Sequence, residues 1–373
     1  MFEFLFKVFG SFIYCFRLIP YSFSLILILL SGADRVYAEP YLAIKAGVKC
    51  SSCHVNITGG GKRNNFGSIY GQTTASALPP VSLWTVDPDN RFSFGADLRS
   101  NIEATEIPNQ TNQFAFELEE VLLYAEVSLL KEQLSLYLDQ RVAPGGALNR
   151  EAFGLYKSKR GYYAKAGQFF LPYGFRLEDD TAFIRQITGF NFNNPDRGVE
   201  VGIDAAKFSA NLALSNGTPG ASETDRGKQV SFRSSYVETD WRFGGSLSFN
   251  DADTAETTAG GLFAGLRTGF IQWLGEFALV NTDLQSGPEV DQLALLLETN
   301  IGWRKGHNIK LTYEHLDSDR DIDENEQNRI SALYEFFPIQ FVQLTGGVRL
   351  NEGIPQADDQ NTDEAFFQMH LYF

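Results

Sequence analysis

The stretch 241–250, WRFGGSLSFN, decides the fold because apolar residues or glycine alternate with charged, polar or small residues. Successive side chains of a strand point to opposite faces, so Trp241, Phe243 and Phe249 would share one face. Arg242 would lie on the other face. The same alternation returns at 134–141 and 344–350, around different apolar residues. Each of these stretches therefore predicts a β-strand with one apolar face.

Sixteen segments of this kind can be counted between residues 91 and 373. They are 91–103, 114–129, 133–143, 149–158, 161–169, 198–207, 208–217, 229–238, 240–250, 258–268, 270–282, 290–303, 306–316, 326–337, 339–351 and 363–373. Short turns alternate with connections that are mostly longer and polar. This layout predicts an all-β fold, a transmembrane antiparallel β-barrel of about 16 strands. Fourteen or eighteen strands are the alternatives, and a secreted soluble β-protein is the competing class.

The composition agrees with an exported barrel. The chain has 34 glycines, 32 phenylalanines and 15 tyrosines but only two methionines. Its formal net charge of −15 argues against nucleic acid as a partner. Lipid of a bacterial outer membrane is the partner that the strand pattern implies.

The first 38 residues predict a secretory signal peptide. Lys7 and Arg17 precede the apolar run 22–30, and 36–38, VYA, offers a cleavage site before Glu39. A retained transmembrane anchor is the alternative, but the apolar run is short for a bilayer. Cleavage would also remove Cys15, leaving two cysteines in the mature chain.

Those two cysteines lie in the stretch 50–54, CSSCH, which is the pattern of a c-type haem attachment site. Cys50 and Cys53 would form thioethers to one covalent haem c, and His54 would be the proximal iron ligand. Half of a zinc site, or chance, is the alternative, but no second ligand pair follows. The sequence thus predicts a signal peptide (1–38), a small monohaem cytochrome c-like domain (39–80), a linker (81–90) and the barrel (91–373).

The second axial ligand of the haem iron is less evident, since residues 39–90 contain no methionine and no second histidine. A lysine, asparagine or tyrosine of that segment, the amine of Glu39, water, or a barrel residue could serve. In the last strand, residues 366, 368, 370 and 372 should face the lumen, and 367, 369, 371 and 373 the lipid. His370 is therefore a candidate distal ligand, although an ordinary lumen-lining role is the simpler interpretation.

Two loops carry many charges. The longest, about 170–197, joins the fifth and sixth segments, where a porin loop often folds inward and narrows the channel. Its acidic and basic residues could set permeation. The acidic loop 317–326 lacks the glycine of a calcium loop, so a solvated surface is expected, with loose attraction of divalent cations as the alternative.

Residues 38–54 resemble the start of the fused monohaem cytochrome–porins of iron-oxidising bacteria, whose pattern is A-x-P-x-F-A-R-Q-T-G-x-x-C-x-x-C-H. The chain matches this pattern at Ala38, Pro40, Ala43, Gly47, Cys50, Cys53 and His54. It departs from it at Leu42, Ile44, Lys45 and Ala46. The resemblance implies a haem domain followed by a sixteen-stranded porin, and 169–198 is also similar to phosphate-selective porins.

The sequence is compatible with three functions. The first is outer-membrane electron transfer, with single electrons passing between an extracellular donor such as ferrous iron and a soluble periplasmic cytochrome. The second is a passive porin for small solutes, anionic ones included, whose haem domain is structural or sensing. The third, a haem peroxidase, would need a distal acid–base pair that residues 39–90 do not offer. We expect an electron-transfer cytochrome rather than a conventional enzyme, with the haem at the periplasmic side or inside the barrel.

Overall fold

The computed structural model describes residues 39–85 and 91–373. The predicted signal peptide, with Cys15, and part of the predicted linker (86–90) lie outside the described residues. Sixteen antiparallel strands form one closed barrel, in which each strand pairs with its sequence neighbours and the first pairs with the last. The predicted barrel and strand count are therefore confirmed, and a sandwich of two open sheets is excluded.

The predicted strand boundaries differ from the observed ones by a few residues in most cases. The strands are β1 (Phe92–Glu106), β2 (Gln113–Leu130), β3 (Leu134–Ala143), β4 (Leu148–Lys157), β5 (Tyr162–Phe169), β6 (Asp196–Ala205), β7 (Phe208–Ser215), β8 (Gln229–Val237), β9 (Trp241–Ala252), β10 (Ala255–Thr268), β11 (Ile271–Leu284), β12 (Glu289–Arg304), β13 (His307–Asp317), β14 (Glu326–Phe336), β15 (Val342–Glu352) and β16 (Asp363–Tyr372). The connection between β9 and β10 is only two residues long, because both strands continue into what the sequence suggested was a loop.

Three short α-helices accompany the barrel: α1 (Pro40–Ala46), α2 (Asn65–Tyr70) and α3 (Phe183–Thr188). A short π-helix, Gly71–Ala75, continues α2, and short 3₁₀-helices lie at Cys50–Ser52 and Asp358–Gln360. Among the residues that the structure describes, no helix is both long and apolar enough to cross a membrane.

The two faces of the strands differ as the alternation predicts. In β9, Trp241 and Phe243 are exposed on the outside, whereas Arg242 and Ser246 are buried on the lumen side. Aromatic residues gather on the outside near the short turns; among them are Tyr156, Tyr162, Phe208, Tyr236, Trp241, Phe270, Trp273, Trp303 and Tyr334. An apolar outer surface with an aromatic girdle suits contact with lipid rather than water.

Residues 39–85, here called the plug, enter the barrel from the end with the short turns. The backbone N–H groups of Ala77 and Leu78 donate to the carbonyls of Phe337 and Pro338 in the β14–β15 turn, at 2.8 and 3.2 Å. Deeper in the lumen, the Tyr41 hydroxyl donates to Glu335 of β14 at 2.9 Å. The plug therefore contacts both the rim and the inner wall of the barrel.

The loop 170–195 also folds into the lumen, as expected for this position. We call it the inner loop. Arg185 of α3 forms a buried ion pair with Glu276 of β11, and the Phe183 N–H donates to Glu314 of β13 at 2.8 Å. Two strands further along the same wall, Arg349 of β15 donates to Asp179 at 2.5 Å. These contacts with three strands hold the inner loop across the channel.

Candidate functional site

A cavity of about 270 Å³ lies in the lumen between the plug, the inner loop and the barrel wall. Its lining follows the lumen face of β1 from Asp97, near the plug, to Thr105, near the longer loops. His54 of the plug and Arg176 of the inner loop belong to the same lining. The cavity therefore extends from the predicted proximal histidine toward the long-loop end of the barrel.

Cys50 and Cys53 occupy one turn at the short-turn end of this arrangement. The N–H groups of Cys53 and His54 both donate to the Cys50 carbonyl at 3.1 Å. Both cysteines are free thiols and only partly exposed. Burial, together with the neighbouring Cys50, raises the pKa of the Cys53 thiol to about 11. The turn thus presents two thiols next to one imidazole.

The His54 imidazole is buried and held in one orientation. Its Nδ1 lies 3.2 Å from the Gly61 carbonyl oxygen, which can only accept, so Nδ1 carries the proton. Burial and the nearby Arg63 lower the pKa of His54 to about 3, so the ring is neutral. A neutral imidazole that donates from Nδ1 has its lone pair on Nε2. Metal-binding histidines are oriented in the same way, by a hydrogen bond from the second ring nitrogen.

The carbonyl that orients His54 belongs to a tightly packed glycine turn. Gly59, Gly60 and Gly61 all have positive φ angles of 93°, 78° and 62°. A Cβ on Gly61 would lie 2.2 Å from the Tyr137 hydroxyl, which also accepts a hydrogen bond from the Lys62 N–H at 2.9 Å. The barrel wall therefore holds the glycine turn in place, and that turn orients His54.

A second wall contact fixes the start of the same turn. The Asn56 side chain donates to both oxygens of Glu151 in β4, at 2.8 and 3.1 Å. The glycine run was visible in the sequence, but Tyr137 and Glu151 were not recognised as its partners. Both are lumen-facing residues of predicted strands, so the alternation indicated their side but not their contacts.

His370 is buried on the lumen face of β16, the side that the alternation predicts. Its Nδ1 lies 3.3 Å from the Gln343 Oε1, and its Nε2 lies 3.8 Å from an oxygen of Asp97. Asp97 and Gln343 line the lumenal cavity, whereas His370 does not line it. Its role as distal ligand stays a prediction.

The acidic loop 317–326 has no metal-binding arrangement. Within residues 39–85 and 91–373, no three His, Cys, Asp or Glu side chains are grouped to hold a metal ion. Arg320 pairs with Asp291 at 2.9 Å, and the Asp319 carbonyl accepts from Asn325 at 2.8 Å. The loop is therefore held by its own contacts and by β12.

Searches against protein-family models and against curated proteins find no match to the sequence. Solved structures do match. An anion-selective porin from Comamonas acidovorans superimposes with a TM-score of 0.61 at 10% identity, over 76% of this chain and 99% of that one. The barrel has a porin fold.

Other porin-fold structures are similar to a comparable degree. OmpT of Vibrio cholerae, expressed in the outer membrane, gives a TM-score of 0.58 at 10% identity, covering 76% of this chain and 97% of that one. OprB of Pseudomonas putida gives 0.58 at 10% identity, covering 76% and 94%. At this level of identity the porin fold is shown and no particular transported solute is.

Proposed function

We propose that the chain is an outer-membrane electron-transfer protein whose plug carries one covalent haem c. The observation that carries this proposal is the His54 imidazole, neutral, buried and oriented by Gly61 beside two free thiols. This orientation leaves the Nε2 lone pair of His54 for an iron ion, as a haem ligand requires. The resemblance to fused cytochrome–porins of iron-oxidising bacteria supports the same interpretation.

Each residue of the motif has a distinct task in this proposal. Cys50 and Cys53 would hold the haem through thioethers, and His54 would offer Nε2 to the iron. Haem iron bound in this way would supply a one-electron carrier. The glycine turn and the wall residue Tyr137 keep the imidazole from rotating. We also propose His370 as the second ligand of the iron, because it lies on the lumen face of β16.

The charges of the barrel suggest which partners meet at each end. The loops at the long-loop end are rich in Asp and Glu, for example 317–326, which would attract a cationic donor such as ferrous iron. The plug lies at the short-turn end, which faces the periplasm in outer-membrane barrels. A soluble periplasmic cytochrome would exchange electrons there.

A pyridine haemochrome spectrum tests the cofactor. The wild-type protein, matured in a host that attaches haem c, should carry one covalent haem. The double variant Cys50→Ala, Cys53→Ala should carry none, and the matched variant Ser51→Ala should keep it. A wild-type protein without covalent haem would contradict the proposal.

Redox turnover tests the function itself. In vesicles, ferrous iron at the long-loop side should reduce the haem-loaded protein, and a soluble cytochrome at the other side should reoxidise it. The orientation of the protein in the vesicles is determined from the accessibility of its long loops to added protease. A haem-loaded protein that does neither, yet conducts ions freely, would favour the second candidate.

Passive transport of small solutes is that second candidate. It is favoured by the similarity to solved porins, one of them anion-selective, and by the arginines that line the cavity. The plug and the inner loop in the lumen argue for low conductance. Planar bilayer recordings decide, since a passive porin should show large single-channel steps that do not depend on haem content.

A further inference from the structure

Arg176 of the inner loop is fixed at the bottom of the cavity, beside the plug. Its guanidinium donates to the Thr58 hydroxyl at 3.2 Å and to the Phe170 carbonyl at 3.4 Å. The same group lies over the rings of Phe170 and Phe192, with centroids at 5.1 and 5.6 Å. These contacts leave the guanidinium little freedom to turn away.

Arg176 differs from three other arginines of this lining, which have carboxylate partners. Arg99, Arg150 and Arg349 each form an ion pair with a carboxylate. Among the described residues, no carboxylate lies within ion-pair distance of Arg176. Burial lowers the pKa of Arg176 to about 10, and the more distant Glu151 offsets this only in part. The guanidinium is thus still charged at neutral pH but lacks a direct anionic partner, which is costly for a buried group.

The position of Arg176 connects it with the predicted proximal histidine. Both residues line the same cavity, and the positive charge of Arg176 contributes to the lowered pKa of His54. Gly60, one residue before the carbonyl that orients His54, packs near the Arg176 stem, at 3.5 Å from an added Cβ. The Arg176 guanidinium therefore belongs to a residue that packs against the turn holding the imidazole.

We propose that Arg176 binds a carboxylate of the haem propionates. The inference rests on the proposed haem, which carries two such carboxylates away from its thioether-forming groups. A guanidinium matches a carboxylate with two parallel hydrogen bonds, and the pairing is strong where water is excluded. Arg176 would then complete its own charge balance and set the orientation of the porphyrin in the cavity.

The test uses the full-length, haem-loaded protein with Arg176→Gln and Arg176→Lys. Resonance Raman spectra report propionate bending modes, and spectroelectrochemical titration gives the midpoint potential against pH. Arg176→Gln should shift a propionate band, lower the midpoint potential and add pH dependence near neutrality, because the carboxylate loses its cation. Arg176→Lys keeps the charge, so the potential should change less while the band still shifts.

Arg150→Gln is the matched control, since Arg150 lies over the same two rings but already pairs with Glu120 at 3.0 Å. It should leave the propionate band in place. Unchanged propionate bands in Arg176→Gln and Arg176→Lys would overturn this inference while leaving the proposed haem intact. Absence of covalent haem from the wild-type protein would overturn both. A change in ion conductance of Arg176→Gln without any propionate shift would assign the residue to permeation instead.

Discussion

Gly61 lies at a point where one methyl group would disturb the candidate iron ligand. Its φ of 62° is unfavourable for other residues, and an added Cβ would lie 2.2 Å from the Tyr137 hydroxyl. We expect Gly61→Ala to displace the carbonyl that orients His54. Loss of such a supporting bond lowers the affinity of a ligand for its metal about 10–100-fold, so the Soret band, which reports iron ligation, should shift.

Gly145→Ala is the control for Gly61→Ala. Gly145 has a φ of 74°, but nothing lies within 4 Å of an added Cβ. Both variants carry the left-handed backbone cost of about 1–2 kcal/mol, so only the contact with Tyr137 differs. The same Soret band in the two variants would argue against a special role for the Gly61 carbonyl.

The ionisation of Asp179 makes the stability of the inner loop depend on pH. Burial disfavours its charge, but Arg349, Arg329 and bonds from Thr181 outweigh this and lower the pKa to about 2. Because the folded pKa is lowered, the stabilisation is complete above the unfolded pKa of about 3.9 and is lost as the pH falls toward 2. Pepsin cleavage of the inner loop should accelerate over this window.

Asp179→Asn separates that effect from the pH dependence of pepsin itself. The variant should be cleaved faster than the wild type at pH 4.5, and the two rates should converge toward pH 2. A constant ratio of rates across the window would show that the Asp179 carboxylate does not hold the inner loop.

At the scale of elements, the strands were predictable and the contacts of the loops were not. Every strand lies between the lumen and the outer surface, so its two faces meet different surroundings and the sequence alternates. The inward fold of the inner loop was expected from its length and position. Its anchor, Arg185 with Glu276, joins residues far apart in sequence, and no local pattern indicates such a pair.

The Arg185–Glu276 ion pair should hold the inner loop in its place across the channel. Both side chains are almost fully buried, so removing one partner leaves an uncompensated charge and costs about 3–5 kcal/mol. We expect Arg185→Met to loosen the inner loop and to raise single-channel conductance in planar bilayers. Arg226→Met, in the exposed β7–β8 loop, is the control and should conduct like the wild type.

A second substitution distinguishes the ion pair from simple packing. Arg185→Met combined with Glu276→Gln removes both charges and should recover part of the lost order, although Glu276 also accepts from the Phe175 N–H at 2.9 Å. If the double variant conducts as much as Arg185→Met alone, the packing of the arginine stem matters more than its charge.

For the whole molecule, the sequence indicated both parts but not how closely they are joined. The haem motif and the strand alternation are local patterns. The seating of the plug depends on single contacts with distant strands, such as Tyr41 with Glu335 and Asn56 with Glu151. From the sequence alone, Glu335 and Glu151 could equally have faced the water of an open channel. Only the closed barrel brings these carboxylates and the plug together.

The outer surface of the barrel should tolerate a charged side chain differently at different depths in the membrane. Leu262 is exposed near the middle of β10, whereas Phe270 is exposed beside the β10–β11 turn. If the apolar band contacts lipid, Leu262→Arg should destabilise the barrel by about 2–4 kcal/mol and Phe270→Arg by only about 0–1 kcal/mol. Reversible denaturant unfolding in lipid vesicles measures both. Equal costs at the two depths would mean that this surface does not span the hydrocarbon layer.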